Sequence, residues 1–240
     1  MMQAQLLKLK RTPFVWYLIV STAGILGLFL LYSSLYSWKP VLERLQFLFE
    51  VYGAALPLLH GLTVFFLVNP EEQMSGMYDL LTSKSRTGTF ITLISLVWGI
   101  ESLRLLLVLF ALSLTTGIGG AGGVSGIAAT GPQIALFAAG EIVISLISIV
   151  FHLWLNLKSG VALSMFFATL ELLQSVMYSN ITITGLWRYL PTAWPMEWKS
   201  DVINQTWVTN LPFWASCVLI ILLAAACFTL WFCRWEGRKK

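Results

Sequence analysis

Six apolar stretches, at 14–36, 47–68, 90–115, 133–157, 159–178 and 211–232, dominate this sequence. A bilayer's hydrocarbon core is about 30 Å thick and takes about 20 helical residues to cross, so each stretch is long enough. Lipid offers no partner to a backbone N–H or C=O. An open sheet edge cannot face it, and a helix that satisfies its own backbone can. A β-barrel would show alternating segments of about ten residues, whereas these runs are continuous. The reading is an all-α polytopic membrane protein with six transmembrane helices, forming a single transmembrane domain over 1–240. Composition agrees: 58% of the residues are hydrophobic and 11% are charged, against about 25% charged in a soluble domain. A soluble enzyme, a nucleic-acid module and a disordered chain are excluded on that ground, so no nucleic-acid partner is expected.

The net charge of +4 reads as membrane topology. With the N-terminus inside, the inner segments hold ten of the 15 Lys and Arg and the outer segments four, with Arg104 inside the third span. Cytoplasmic segments carry the excess of these residues, so both termini are expected in the cytoplasm of a multi-pass cell-membrane protein. The first apolar run is longer than a signal-peptide core and has no small-residue cleavage site. It is expected to stay in the mature protein. Cys217, Cys227 and Cys233 match no metal or redox spacing.

Between the spans, four segments stand out. In residues 1–13, Met2, Leu6, Leu9 and Pro13 recur at steps of 4, 3 and 4, with Lys8, Lys10 and Arg11 on other faces, as in an amphipathic interfacial helix or a plain basic flank. Residues 70–86 open on Asn69-Pro70, a helix-start signal, with Glu71 and Glu72 in the first turn and Arg86 beyond the last. There the spacing of Met74, Met77, Tyr78 and Leu81 predicts one amphipathic cytoplasmic helix suited to docking. The segment 117–131 has seven glycines and no charge, and reads as a flexible tether. The segment 179–210 contains Trp187, Trp194 and Trp198, with Pro191 and Pro195 to break a long helix. It reads as an extracellular or re-entrant element in the interface that tryptophan favours.

Ionisable side chains at bilayer depth are costly and require partners or a task. Glu101 and Arg104, at i and i+3, are placed to form an intrahelical ion pair. Glu141 and Glu171 have no basic neighbour in sequence, which leaves three possibilities: a pair with Arg104, protonation, or a water-filled cavity. His60 and His152 read either as hydrogen-bonded packing residues or, for His60, as a cavity residue. If His60, Glu141 and Glu171 face one cavity, they form a substrate path for a cationic or amphipathic molecule, with Trp187, Trp194 and Trp198 at its outer entrance. The sequence contains no phosphate-binding G-x-x-x-x-G-K-[ST] string, no H-E-x-x-H and no G-x-S-x-G. No catalytic residue, metal site or cofactor of its own is therefore expected.

This layout, with "QLLKLKRTPF" ahead of the first span and "NPEEQMSGMYDLLTSKSR" after the second, resembles the membrane subunits of ABC-2-type exporters. Among these it is most similar to permeases of lantibiotic (bacteriocin) self-immunity and bacitracin-resistance transporters. The resemblance implies a transport subunit without enzyme activity of its own, paired with a second permease or with itself. Two copies of a separate ABC ATPase would carry the ATP and Mg. Residues 70–86, among them Glu71, Glu72, Met74, Met77, Tyr78, Leu81 and Arg86, would be the coupling helix on that ATPase. The substrate would be an amphipathic peptide antibiotic driven out of the membrane lipids. The alternatives are export of another drug or lipid-like molecule, a secondary transporter, or a membrane immunity protein with no ATPase.

Overall fold

The computed structural model describes residues 12–75, 77–83, 85–119, 123–180 and 189–237. Among them every regular element is helical. Helix α1 is Phe14–Leu35, α2 is Val41–Ser75, α3 is the single turn Tyr78–Leu81, and α4 is Arg86–Gly119. Helix α5 is Gly123–Ser159 and α6 is Val161–Asn180. A 3-10 turn, Pro191–Ala193, leads into α7, Trp194–Asn204, and α8 is Leu211–Arg234.

Five stretches are long and apolar enough to cross a membrane: Phe14–Leu35, Glu43–Gln73, Arg86–Ala111, Gly131–Ser159 and Leu211–Arg234. The chain is a multi-pass membrane protein. The expected span at 159–178 corresponds to α6, whose apolar stretch, Val161–Met177, is shorter.

Helix α2 is the central post. It is 67% buried over its most apolar window, against 17% for α1 and for α8, and it packs on α5, α6 and α7. The peripheral helices turn Trp16, Val20, Leu28, Leu219, Leu222 and Leu230 outward, as a surface solvated by lipid requires. Two apolar clusters fill the interior. One joins Phe49, Phe137, Trp194, Trp198 and Trp214 towards the end that carries α7. The other joins Phe14, Val68, Met77, Leu80, Phe90, Phe232 and Trp235 towards the end that carries α3. The polar interior side chains of α2 and α4 fall between them: His60 and Thr63 lie between Leu59 and Val64, and Glu101 and Arg104 between Val97 and Leu105.

Close approaches set the packing. The Trp198 indole lies directly on Gly140 of α5, where any Cβ would overlap it, and its Nε1 donates to the Phe137 carbonyl at 3.2 Å. At Gly61 an added Cβ would come within 2.9 Å of Ala168 on α6. Small residues at such crossings are how helices approach closely in lipid. The sharp reversal from α5 to α6 turns on Gly160 at φ 97°, a left-handed conformation that glycine adopts without a Cβ clash.

Three expectations need correction. The single helix foreseen over 70–86 does not form. Asn69 and Pro70 lie inside α2, which continues to Ser75 with Glu71 buried. The chain then turns at Met77, which is left-handed at φ 70°, and α3 lasts one turn. Burial of Leu67, Val68 and Glu71 carries α2 through the proline and offsets its cost there, about 3 kcal/mol for a lost helical hydrogen bond and the ring's clash with the preceding turn. Nor do the foreseen apolar positions share a face: Met77 is buried, Tyr78 is 65% exposed and Leu81 is half-buried, while the Met74 side chain lies outside the described residues. The glycine-rich 117–131 segment is not a tether, because α4 runs to Gly119 and α5 begins at Gly123. The interfacial helix foreseen over 1–13 lies, up to residue 11, outside the described residues.

Gly140→Ala should lower the unfolding temperature of the purified protein in detergent, by an overpacking cost of about 1–3 kcal/mol. Gly24→Ala, with nothing within 4 Å of the added carbon, should leave it unchanged or raise it.

Candidate functional site

The polar belt begins with an ion pair inside α4. Arg104 Nη1 is 2.9 Å from Glu101 Oε2, with both side chains almost fully buried. Glu101 Oε1 accepts from the Thr63 hydroxyl of α2. The Tyr17 hydroxyl of α1 donates to the Leu59 carbonyl at 3.0 Å and lies 3.3 Å from Thr63 Oγ1. The Arg104 guanidinium stands 5.1 Å from the centre of the Tyr17 ring. Three helices are thereby joined through one charge pair, and the ring face adds a cation–π attraction.

A second group joins α5 to α6. His152 Nε2 is 3.2 Å from Glu171 Oε2, and His152 Nδ1 is 3.3 Å from the Ser164 hydroxyl. Ser, His and carboxylate in line resemble a hydrolytic triad, but Ser164 is completely buried and is not among the residues that line the cavity beside it. Its position suits holding the imidazole, with no room for a reacting carbonyl.

That cavity, of about 340 Å³, lies where α2, α5, α6, the Pro191 turn and α8 meet, and it is lined by His60 and Glu171 among mainly apolar side chains. Ile147, Phe151, Thr192, Ala224 and Phe228 on its walls are partly exposed. A much smaller gap of about 10 Å³ also borders His60, lined by Tyr52, Glu101, Ser102, Glu141 and Ser145. That is the room of a single water site. Among the described residues, neither ring nitrogen of His60, neither carboxylate oxygen of Glu141 and not the Tyr52 hydroxyl has a hydrogen-bond partner.

The structure therefore places His60 and Glu171 on one cavity and His60 and Glu141 on its small neighbour. Glu171 pairs with His152, a partner outside the three possibilities the sequence left, and neither lone carboxylate pairs with Arg104 in the ion pairs found. The tryptophans depart from expectation. Trp194 is 1% exposed and Trp198 is 8% exposed, so both are core residues of the α7 end and not an open entrance, and Trp187 lies outside the described residues. Their burial follows from ring packing, Trp198 against Trp214 edge-to-face at 5.1 Å.

Sequence reasoning passed over Asp201. Its carboxylate accepts from Trp214 Nε1 at 2.7 Å, Asn210 Nδ2 at 2.8 Å and Thr206 Oγ1 at 2.7 Å, and so fixes α7 to the start of α8. Across that end Lys199 reaches Glu50 at 2.6 Å. At the other end Arg86 donates to the carbonyls of Trp235 at 2.8 Å, Cys233 at 3.2 Å and Leu81 at 3.3 Å. It thus ties the α3 turn to the last helix. Among the described residues no group of His, Cys, Asp and Glu is placed to hold a metal.

Removing one partner of a buried ion pair leaves a bare charge and costs about 3–5 kcal/mol. Arg104→Leu should therefore cause a large fall in detergent unfolding temperature, and the double variant Glu101→Gln/Arg104→Leu should recover most of it. Equal losses in the two would show that the pair does not anchor the belt. No family model matches the chain, and neither a curated protein nor a solved structure shows significant similarity to it.

Proposed function

We propose that the chain is the permease subunit of an ATP-driven ABC-2-type exporter that expels an amphipathic peptide antibiotic from the cell membrane and so gives self-immunity. The observation that carries the reading is the short α3 turn at one end of the bundle, which buries Met77 and Leu80 and exposes Tyr78. The Met77–Leu81 turn joins two long apolar helices, is locked to α8 through Arg86, and presents the Tyr78 ring to solvent. A turn tied down by Arg86, with one exposed aromatic, is suited to seat on another protein. The Lys/Arg bias puts this end in the cytoplasm, with α6 as a sixth, short crossing. The order of elements supports the reading as well, with the α3 turn between the second and third long helices and a broken 3-10/helix segment before the last. Two ATPase copies would supply ATP and Mg, and a second permease or a second copy of this chain would complete the assembly.

One observation favours a different reading, proton-coupled secondary transport: the buried Glu141 carboxylate, without a partner among the described residues, beside His60. The two readings separate experimentally. Glu71 is buried, so reversing its charge would disturb the fold, and the exposed Tyr78 is the cleaner target. Tyr78→Ala should sharply reduce co-purification of an ATPase encoded beside this gene, with membrane insertion and yield unchanged. Undiminished capture would remove the α3 turn from the mechanism. Transport that persists without any ATPase and is abolished by Glu141→Gln would replace the exporter reading by the proton-coupled one.

A further inference from the structure

We propose that the 340 Å³ cavity is a binding site for a primary ammonium group on an aliphatic arm, as carried by a lysine side chain of an amphipathic peptide. This rests on the exporter reading only for the peptide as the source of the amine. The chemistry of the site stands on its own residues.

The walls are apolar, with Ile144, Ile147, Phe151 and Phe228 among them, and the volume lies at the lower end of small-molecule sites. Two polar side chains matter within it. Glu171 offers a carboxylate whose Oε2 is held by His152. His60 is completely buried, and both its ring nitrogens lack partners among the described residues. In its neutral form the imidazole offers one lone pair and one N–H. No Lys or Arg is among the lining residues, so an anionic ligand would find no counter-charge. An ammonium would find two acceptors. It would donate to the carboxylate in a charge-assisted hydrogen bond and to the imidazole lone pair, while its methylene arm lay against the aliphatic and aromatic walls. The second feature is the arrangement behind Glu171. Ser164 and His152 stand in line on the carboxylate, so its direction is set before a ligand arrives, which lowers the cost of binding. A quaternary ammonium, which has no N–H, would lose both hydrogen bonds, so the site should prefer a primary amine.

The test uses the full-length purified chain in phosphatidylcholine nanodiscs, with no ATPase or nucleotide, and n-decylammonium as the titrant followed by calorimetry. Decylammonium should bind saturably, while decanoate and decyltrimethylammonium bind at least about tenfold more weakly, the size expected for losing a hydrogen bond to a charged group. Glu171→Gln should weaken decylammonium by a similar factor. His60→Leu should do so too, and it removes no hydrogen bond formed within the described protein, so it keeps the test decisive if Glu171→Gln misfolds. Glu43→Gln, on an exposed carboxylate at the α7 end, should change nothing. Equal binding of decylammonium and decanoate, or wild-type affinity in His60→Leu, would overturn the site. Loss of decylammonium binding in phosphatidylethanolamine nanodiscs would assign it to a lipid amine and overturn the peptide source. If ammonium binding fails while the ATPase is still captured, this site alone falls. If capture fails while binding persists, the exporter reading falls instead.

Discussion

Hydrocarbon cannot solvate a guanidinium, and the interior of this protein is arranged around that fact. Arg104 is surrounded by partners from three helices: the Glu101 carboxylate on its own α4, Thr63 on α2 and the Tyr17 ring on α1. The arrangement also explains why α1 keeps its place. That helix buries Phe14, Ile25 and Phe29 and turns most of its other side chains outward. In lipid, apolar contact alone gives little preference for one neighbour over another. The Tyr17 hydroxyl on the Leu59 carbonyl supplies the direction that apolar contact lacks.

With α1, α2 and α4 fixed at this level, the molecule has two tight apolar ends and a polar middle. The α7 end is closed by stacked and edge-on rings, Phe49 on Phe137 at 3.8 Å and Trp198 on Trp214. The α3 end is closed by Phe90 on Phe232 at 5.0 Å. The cavity is the place where this packing is incomplete, beside Pro57 of α2 and the Pro191 turn. Pro57 has no N–H to give to the preceding turn, and the Pro191–Ala193 3-10 turn leads into α7. Two local departures from regular helix thus frame the space in which His60 and Glu171 meet.

Much of this was legible in the sequence, for reasons that can be named. Long uncharged runs have one structural solution in lipid, so the apolar helices could be found, though α2 and α5 run up to ten residues beyond the stretches expected. The i, i+3 spacing of Glu101 and Arg104 fixes their separation whatever the tertiary fold. The partnership of Glu171 with His152 was not legible, because it depends on how α5 and α6 are rotated against each other, and one sequence does not record rotation. Asn69-Pro70 was misleading for a related reason. The same dipeptide starts a helix in water and is carried through in a helix whose far side is buried. Trp194 and Trp198 misled by composition: tryptophan favours interfaces in general, and here Trp198 seats on Gly140 and packs edge-on against Trp214, which Asp201 holds, while Trp194 belongs to the same apolar cluster.

The Arg86 guanidinium has a consequence for how the α3 turn and the last helix are related. It grips the carbonyls of Cys233 and Trp235 at the end of α8 and the carbonyl that ends α3, and Gly237 stands against Leu81. Segments about 150 positions apart along the polypeptide are thus lashed into one platform. Anything that grasps the turn after the second helix also holds the tail of the final one, and a dye or fusion attached there would report on both at once.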